Sequence, residues 1–303
     1  MAIASITRAN KNTKNQVTYS RVGLILVSPA LAYLGLFFIT PFVLLIMTSL
    51  GQQSTSGLNQ TFSFGLNFSN YLPLVTDNLE NVLRSFGYAL IASFGALLIG
   101  YPLAYFIGVK MRHRPTLQRM LITLVIAPFF ISFLLRTLAW TQIFSNNGPL
   151  LAFLQDVGIM GAGDRLLGTP FAVVFGLIYN FVPFMTLPLY TTLEKLDIRY
   201  LEAGADLYAS PRRVFTKITL PLSMPGVISG TLLTFIPMAG DYVNASRDFL
   251  GSTETAMIGN VVEANFFRIQ DYPTASALSV MLMAAIVVLV SVYVRKSGTE
   301  ELL

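Results

Sequence analysis

The sequence predicts an all-α membrane protein with six transmembrane helices. Three observations carry that prediction. The 303-residue chain is 54% hydrophobic and 12% charged, with a mean hydropathy of +0.64, whereas a soluble domain is about 25% charged. Six apolar windows meet or approach the roughly 20 residues that cross a hydrocarbon core about 30 Å thick. Basic residues gather in alternate connections, the pattern that a fixed orientation in a bilayer produces.

Residues 1–21 form a basic tail with Arg8, Lys11, Lys14 and Arg21 and no acid. The window 22–50 is the first span. Its apolar run exceeds a secretory h-region of roughly 7–15 residues, and no small-residue cleavage site follows. It reads as a retained signal-anchor, peripheral to the rest. Residues 51–80, rich in Ser, Gln, Asn and Gly, form a loosely structured external loop. Residues 81–295 make a five-helix core with spans at 86–109, 120–144, 170–193, 223–240 and 272–294. Prolines and glycines interrupt the span at 223–240; such breaks are tolerated where neighbours satisfy the freed backbone. Residues 145–169 carry Asn-Asn-Gly-Pro and Gly-Ala-Gly, both turn chemistry. Residues 296–303 form the closing tail.

Charge sets the orientation. Lys110, Arg112, Arg114 and Arg119 follow the second span, and Lys195, Arg199, Arg212, Arg213 and Lys217 follow the fourth. With the tail bases and Arg295 and Lys296, fifteen of the 20 Lys and Arg residues fall on one side. That side is read as cytoplasmic, with both termini on it. The net charge of +5 then needs no nucleic-acid partner.

Catalytic constellations are missing from the sequence. There is no cysteine, so thiolate metal sites and disulfides do not arise. No P-loop is present, and the single His113 sits in a basic loop, MRHRP. No enzyme activity and no cofactor are expected. A membrane protein of this kind transports, or scaffolds a partner that does work.

One polar passage stands among the apolar runs, YLEAGADLYASPRRVFTKITLPLSMPG at 200–226. Its spacing predicts two short helices. The first carries apolar residues at 198, 201, 205 and 207. Ser210 and Pro211 then supply an N-cap and a first-turn proline. In the second helix Val214, Phe215 and Ile218 share one face and Arg212, Arg213 and Lys217 the other. Pro221 and Pro225 end it. Such a hairpin suits docking in a groove of another protein or lying on lipid headgroups; the spacing leaves both open.

This passage resembles the signature loop of binding-protein-dependent ABC importer permeases: Glu-Ala-Ala, three residues, Gly, nine residues, Ile-x-Leu-Pro. Glu202-Ala203 opens it, and Ile218-Thr219-Leu220-Pro221 closes it in register. Gly204 replaces the second Ala, and Tyr208 stands where the family has Gly in the turn. A positive φ there is cheap for Gly and costly for Tyr. Either the turn stays right-handed here or Tyr208 packs against a partner. The resemblance assigns the loop 194–222 to coupling with an ATPase, through Glu202, Ala203, Gly204, Asp206, Tyr208, Ile218, Leu220 and Pro221.

Further stretches, SFLLRTLAW (132–140), GLIYNFVPFMTLPLY (176–190), IPMAGDYV (236–243), AMIGNVV (256–262) and YPTASALSVML (272–282), resemble B-type permease subunits of spermidine/putrescine importers. The resemblance covers about 80–295. It implies the type I importer fold and a bacterial inner-membrane location. It also implies four kinds of partner: a second homologous permease, two copies of a cytoplasmic ATPase, an external solute-binding protein and the polyamine substrate.

Polar residues within the apolar windows have two readings each. Arg136 is read as structural, snorkelling or pairing with an external carboxylate, since an Arg on the route would repel polyammonium ions. Asn180, beside Tyr179, serves a helix–helix hydrogen bond or the pathway. Trp140 is a belt residue or a cation–π surface. Asp241 and Tyr242 suit a passing ammonium, or Asp241 is a helix-end carboxylate. The outer segments hold nine acids against four bases, and an acidic mouth concentrates cations. The alternatives are a permease for another small solute and an ion-coupled transporter working alone. The latter predicts acids well inside several spans, which the sequence lacks.

Overall fold

The computed structural model describes residues 21–56, 59–63, 65–68, 71–161 and 163–296. All of the basic tail before Arg21 and the tail after Lys296 lie outside the described residues. The chain divides into two units, 1–47 and 48–303.

In the first unit α1 (Arg21–Leu34) runs through a widened π-turn at Gly35–Ile39 into α2 (Thr40–Ser49). Pro41 has no N–H to return to the preceding turn, and the widening sits just before it. The stretch Leu26–Ser49 is 24 residues long with a mean hydropathy of 2.3, as a spanning helix requires.

The second unit opens with a feature that the sequence reading missed. Residues 51–80 are not loosely structured throughout. They form an antiparallel hairpin, β1 (Gln52–Ser56) and β2 (Asn59–Ser63), with Gln52 opposite Ser63 and Ser56 opposite Asn59. Helix α3 (Tyr71–Asp77) follows. Residues of the Thr and Phe types favour extended backbone.

Three helices build the core: α4 (Leu79–Tyr105), α8 (Pro170–Lys195) and α12 (Met224–Ala239). Helix α4 carries Ala89, Ala92 and Ala96, all fully buried, on one face. These small side chains let Leu177, Met185 and Leu189 of α8 fill the seam. Helix α8 starts where Thr169 Oγ1 accepts the Ala172 N–H at 3.3 Å and Pro170 takes the first turn. Gly226 and Gly230 bring α12 against α8. A Cβ at Gly226 would lie 3.0 Å from the Pro188 carbonyl oxygen, and one at Gly230 3.0 Å from that of Met185. This is the small-xxx-small contact of membrane helices, in which close backbone approach replaces hydrophobic drive.

One expected span is broken, and the span expected to be interrupted at 223–240 is a continuous helix that bends only at its start. The window 120–144 is not one helix. Helix α5 (Pro115–Ile126) ends in a tight turn at Ala127–Phe130, and α6 (Phe133–Phe144) continues only after an 89° bend. Pro128 removes a backbone donor, and Ile131 is extended at φ −104° and ψ 134°. Helix α12 has 16 residues, roughly 24 Å of rise, and meets the segment Pro211–Leu222 at a 63° bend. Among the described residues four helices are long and apolar enough to cross by themselves, and up to six spans result if each bent pair is one span. After α6 comes α7 (Pro149–Asp156). The chain ends with α13 (Ile258–Glu263), a π-widened turn at Ala264–Ile269 and α14 (Tyr272–Lys296).

Candidate functional site

The polar passage folds as two short helices at one end of the α4–α8–α12 core. Helix α9 (Arg199–Asp206) begins beside Asp197, whose carboxylate accepts from Arg199 Nε and Nη2. Those bonds hold the Asp197 carboxyl below its usual range. Helix α10 (Pro211–Val214) continues through a π-turn at Phe215–Thr219 into α11 (Leu220–Leu222). Arg212, Arg213 and Lys217 are exposed, and Val214, Phe215 and Ile218 turn inward, as the spacing predicts. The inward face of α9 differs from expectation. Leu201 and Gly204 point in, while Ala205 and Leu207 are exposed. A Cβ at Gly204 would lie 2.8 Å from Ile218 Cδ1 and 3.3 Å from Val214 Cγ2. The Gly in place of Ala therefore sets how closely the two helices cross.

Tyr208 takes a positive φ of 56°; the turn does not stay right-handed. The Ala209 N–H donates to the Gly204 carbonyl at 3.1 Å and the Tyr208 N–H to that of Ala205 at 2.9 Å. These two bonds define a Schellman cap with Tyr208 at its left-handed position. An L-residue there costs about 1–2 kcal/mol. The side chain is 99% exposed, so the two backbone bonds of the cap, and no side-chain packing among the described residues, offset that cost. Glu202, Ala203, Asp206 and Pro221 are also exposed, while Leu220 is half-buried against the core.

The hairpin is fastened to the core at three points. Tyr101 Oη and Ser223 Oγ share a buried hydrogen bond of 2.7 Å at the 63° bend. The Phe215 ring meets Tyr101 edge-on at 5.5 Å. Arg112 donates to the Leu193, Glu194 and Leu196 carbonyls, closing the C-terminus of α8 with a cation.

A second group of residues forms a buried polar chain. Asn180 Nδ2 donates to Thr137 Oγ1 at 3.2 Å and to Asn244 Oδ1 at 3.1 Å. Asn244 in turn donates through its backbone N–H and Nδ2 to Asp241 at 2.8 and 3.1 Å. The chain ties α6 and α8 to the segment after α12. Asn180 thus makes helix–helix hydrogen bonds. Asp241 is 7% exposed, with both oxygens engaged; it closes a turn and does not face an open route. Burial pushes its carboxyl up to about 6, against the lowering effect of N–H donors from Asn244, Ala245 and Val243.

Arg136 lies one turn past the 89° bend and is 8% exposed. Its guanidinium stands 5.8 Å from the Phe133 ring centroid. Nε and Nη1 find no hydrogen-bond partner among the described residues, so the expected pairing with an outer carboxylate is not formed. Trp140 packs edge-on against Phe175 at 4.6 Å and Tyr179 at 5.2 Å. It is part of an aromatic cluster. Tyr242 is half-exposed.

Sequence reasoning missed Asn244, Tyr101, Ser223 and Arg112. Tyr101, Ser223 and Arg112 lie far in sequence from their partners, and Asn244 reaches both the nearby Asp241 and the distant Asn180; only Arg112, basic and next to a span end, carried a local signal.

With this geometry in place, three comparisons bear on it. The model of the family "binding-protein-dependent transport system inner membrane component" matches residues 96–296. The chain is 36% identical over 267 residues to the spermidine/putrescine transport system permease protein PotB of Escherichia coli (strain K12), covering 88% of this chain and 94% of that protein. Among solved structures, an inward-facing MetNI methionine ABC transporter chain matches with a TM-score of 0.56 at 19% identity, over 75% of this chain and 99% of that one. A chain of a bacterial ABC transporter importing the acidic polysaccharide alginate matches with a TM-score of 0.64 at 17% identity, over 91% and 94%. At those identities the structures establish fold alone. That fold is the type I ABC importer permease fold.

Proposed function

The chain belongs to the inner membrane component family of binding-protein-dependent transport systems, and on that premise we propose that it is the permease subunit of an ATP-driven polyamine importer. The observation that carries the substrate is the match to PotB along 94% of that protein's length. In this reading the hairpin 196–223 is cytoplasmic and sits in a groove of an ATP-binding subunit. Two such subunits, a second homologous permease and an external binding protein complete the importer. Both termini are cytoplasmic, which the placement of fifteen of the 20 basic residues supports. ATP hydrolysis belongs to the ATP-binding subunits.

The work of the chain is mechanical. Closure of the ATP-binding subunits displaces the hairpin. Tyr101, Ser223 and Phe215 pass that displacement to α4 and α12, because a close-packed contact has discrete arrangements and does not deform gradually. The Asp241–Asn244–Asn180–Thr137 chain holds the far end of α12 in register with α8 and α6. Asp241 and Asn180 are assigned to positioning, and Trp140 and Tyr179 to the aromatic packing beside the bend at Arg136.

Uptake of labelled spermidine by vesicles holding all four kinds of subunit tests the reading. ATP-dependent uptake that excess putrescine suppresses and sulfate does not is the expected result. Uptake confined to an anion, or purification of the chain without an ATPase, would overturn it.

Tyr208 gives a separate prediction. Tyr208→Gly relieves the left-handed strain, so the isolated chain should gain about 1 kcal/mol. If the exposed ring meets the ATP-binding subunit, Tyr208→Gly and Tyr208→Ala should both weaken ATPase retention several-fold in pull-down. Retention at the parental level by both variants would remove the ring from the interface.

A further inference from the structure

A cleft of about 670 Å³ lies between the last turn of α12, α13 with its π-widened continuation, and α14. Gly240 and Tyr242, just past the end of α12 remote from the hairpin, line it. Its mouth combines one carboxylate with aromatic rings: Glu263, Tyr242, Phe266 and Phe267 all line it. Its length is apolar, with Leu282, Ile286 and Val290 following one face of α14. Ser279 and Val290 both line the cleft, and they stand about 16 Å apart along the helix at 1.5 Å per residue.

The geometry points to a binding site for an alkyl polyammonium ion in this cleft, with one ammonium on Glu263 and its methylenes along α14. This rests on the reading that the importer carries polyamines, and it names where this chain meets them. Four observations agree. Glu263 is held only loosely, with Arg268 Nε at 3.8 Å, and its side chain is 26% exposed. Arg268 is shared with Asp248 at 3.5 Å, so the carboxylate of Glu263 keeps accepting capacity. Tyr242 and Phe266 are about half-exposed, and aromatic faces attract ammonium ions. The segment bearing Phe266 and Phe267 is π-widened and ends at Gln270 with a φ of 62°; such irregular turns are common at functional sites. The one charged residue lining the cleft is an acid, Glu263. The polar chain of Asp241 lies beside this cleft and fixes the backbone from which Tyr242 projects.

Reconstituted importer with every subunit present gives the test. Glu263→Gln keeps the shape and removes the charge, and labelled spermidine uptake should fall about tenfold. Glu263→Asp should recover part of the loss, and Tyr242→Leu should lose several-fold. Arg268→Gln frees the carboxylate and should transport at or above the parental rate. Pull-down of the ATPase with each variant checks that the importer is assembled. Parental uptake by Glu263→Gln overturns the site, as an amine-bearing lipid filling the cleft would produce. An equal loss in Arg268→Gln also overturns it, because the ion pair alone would then matter. If the parental importer carries no polyamine, the functional reading falls along with the site; if it does and only these variants disagree, the site falls alone.

Discussion

Glu202→Lys is expected to cut spermidine uptake at least tenfold while the importer remains assembled in the membrane. Glu202 lies in the first turn of α9 and is exposed, on the outer face of a helix whose inner face is packed on Ile218 and Val214. Among the described residues nothing depends on its carboxylate for packing. An acid in the first turn favours the helix by about 0.3–1 kcal/mol through the helix dipole, and a Lys there reverses the sign. That penalty leaves an eight-residue helix fastened by its neighbours in place. The large effect must then come from the partner's surface, where a reversed charge meets groups arranged for an acid. Glu202→Gln separates the contributions: it loses the charge without reversing it and should fall between the parent and Glu202→Lys. Substrate-stimulated ATP hydrolysis is the companion measurement. If Glu202→Lys keeps parental uptake and parental stimulation, the coupling role of this residue is wrong.

Gly226→Leu is expected to have a similarly large effect for a different reason. A Cβ at Gly226 would meet Thr192 Oγ1 at 2.7 Å and the Pro188 carbonyl oxygen at 3.0 Å. Thr192 is itself bonded to that carbonyl at 2.9 Å, so neither neighbour can give way cheaply. Overpacking a filled seam costs about 1–3 kcal/mol, and here it also pushes α12 from α8 one turn beyond the hinge at Ser223. Uptake should be lost, and the detergent-extracted chain should unfold at a lower temperature than the parent. Gly226→Ala should show a smaller loss of the same kind. A Gly226→Leu chain with parental melting temperature would mean that the α8–α12 seam is looser than the structure has it.

The hairpin was legible because its signals are local. Glu202-Ala203 and Ile218-Thr219-Leu220-Pro221 are contiguous, Ser210-Pro211 starts a helix wherever it stands, and Arg212, Arg213 and Lys217 fall on one face by helical period alone. The left-handed conformation of Tyr208 was one of two open outcomes. A side chain's preference weighs against φ 56°, and only the Schellman bonds of the assembled hairpin decided for it.

The sequence by itself determined the class, the apolar segments and the place of the polar hairpin. Composition, periodicity and short motifs act within about twenty residues, and bilayer thickness converts them directly into spans. Tertiary structure alone decided where the spans bend, which residues close on one another and which carboxylate stays open. Asp241 and Glu263 are both acids in the connection between the last two apolar windows and look alike in sequence. Asp241 is enclosed by Asn244 and by Asn180 behind it, whereas Glu263 faces a cleft made by three elements. The turn that closes Asp241 onto Asn244 is local, but its burial under Asn180 and the cleft beside Glu263 come from elements far apart in the chain.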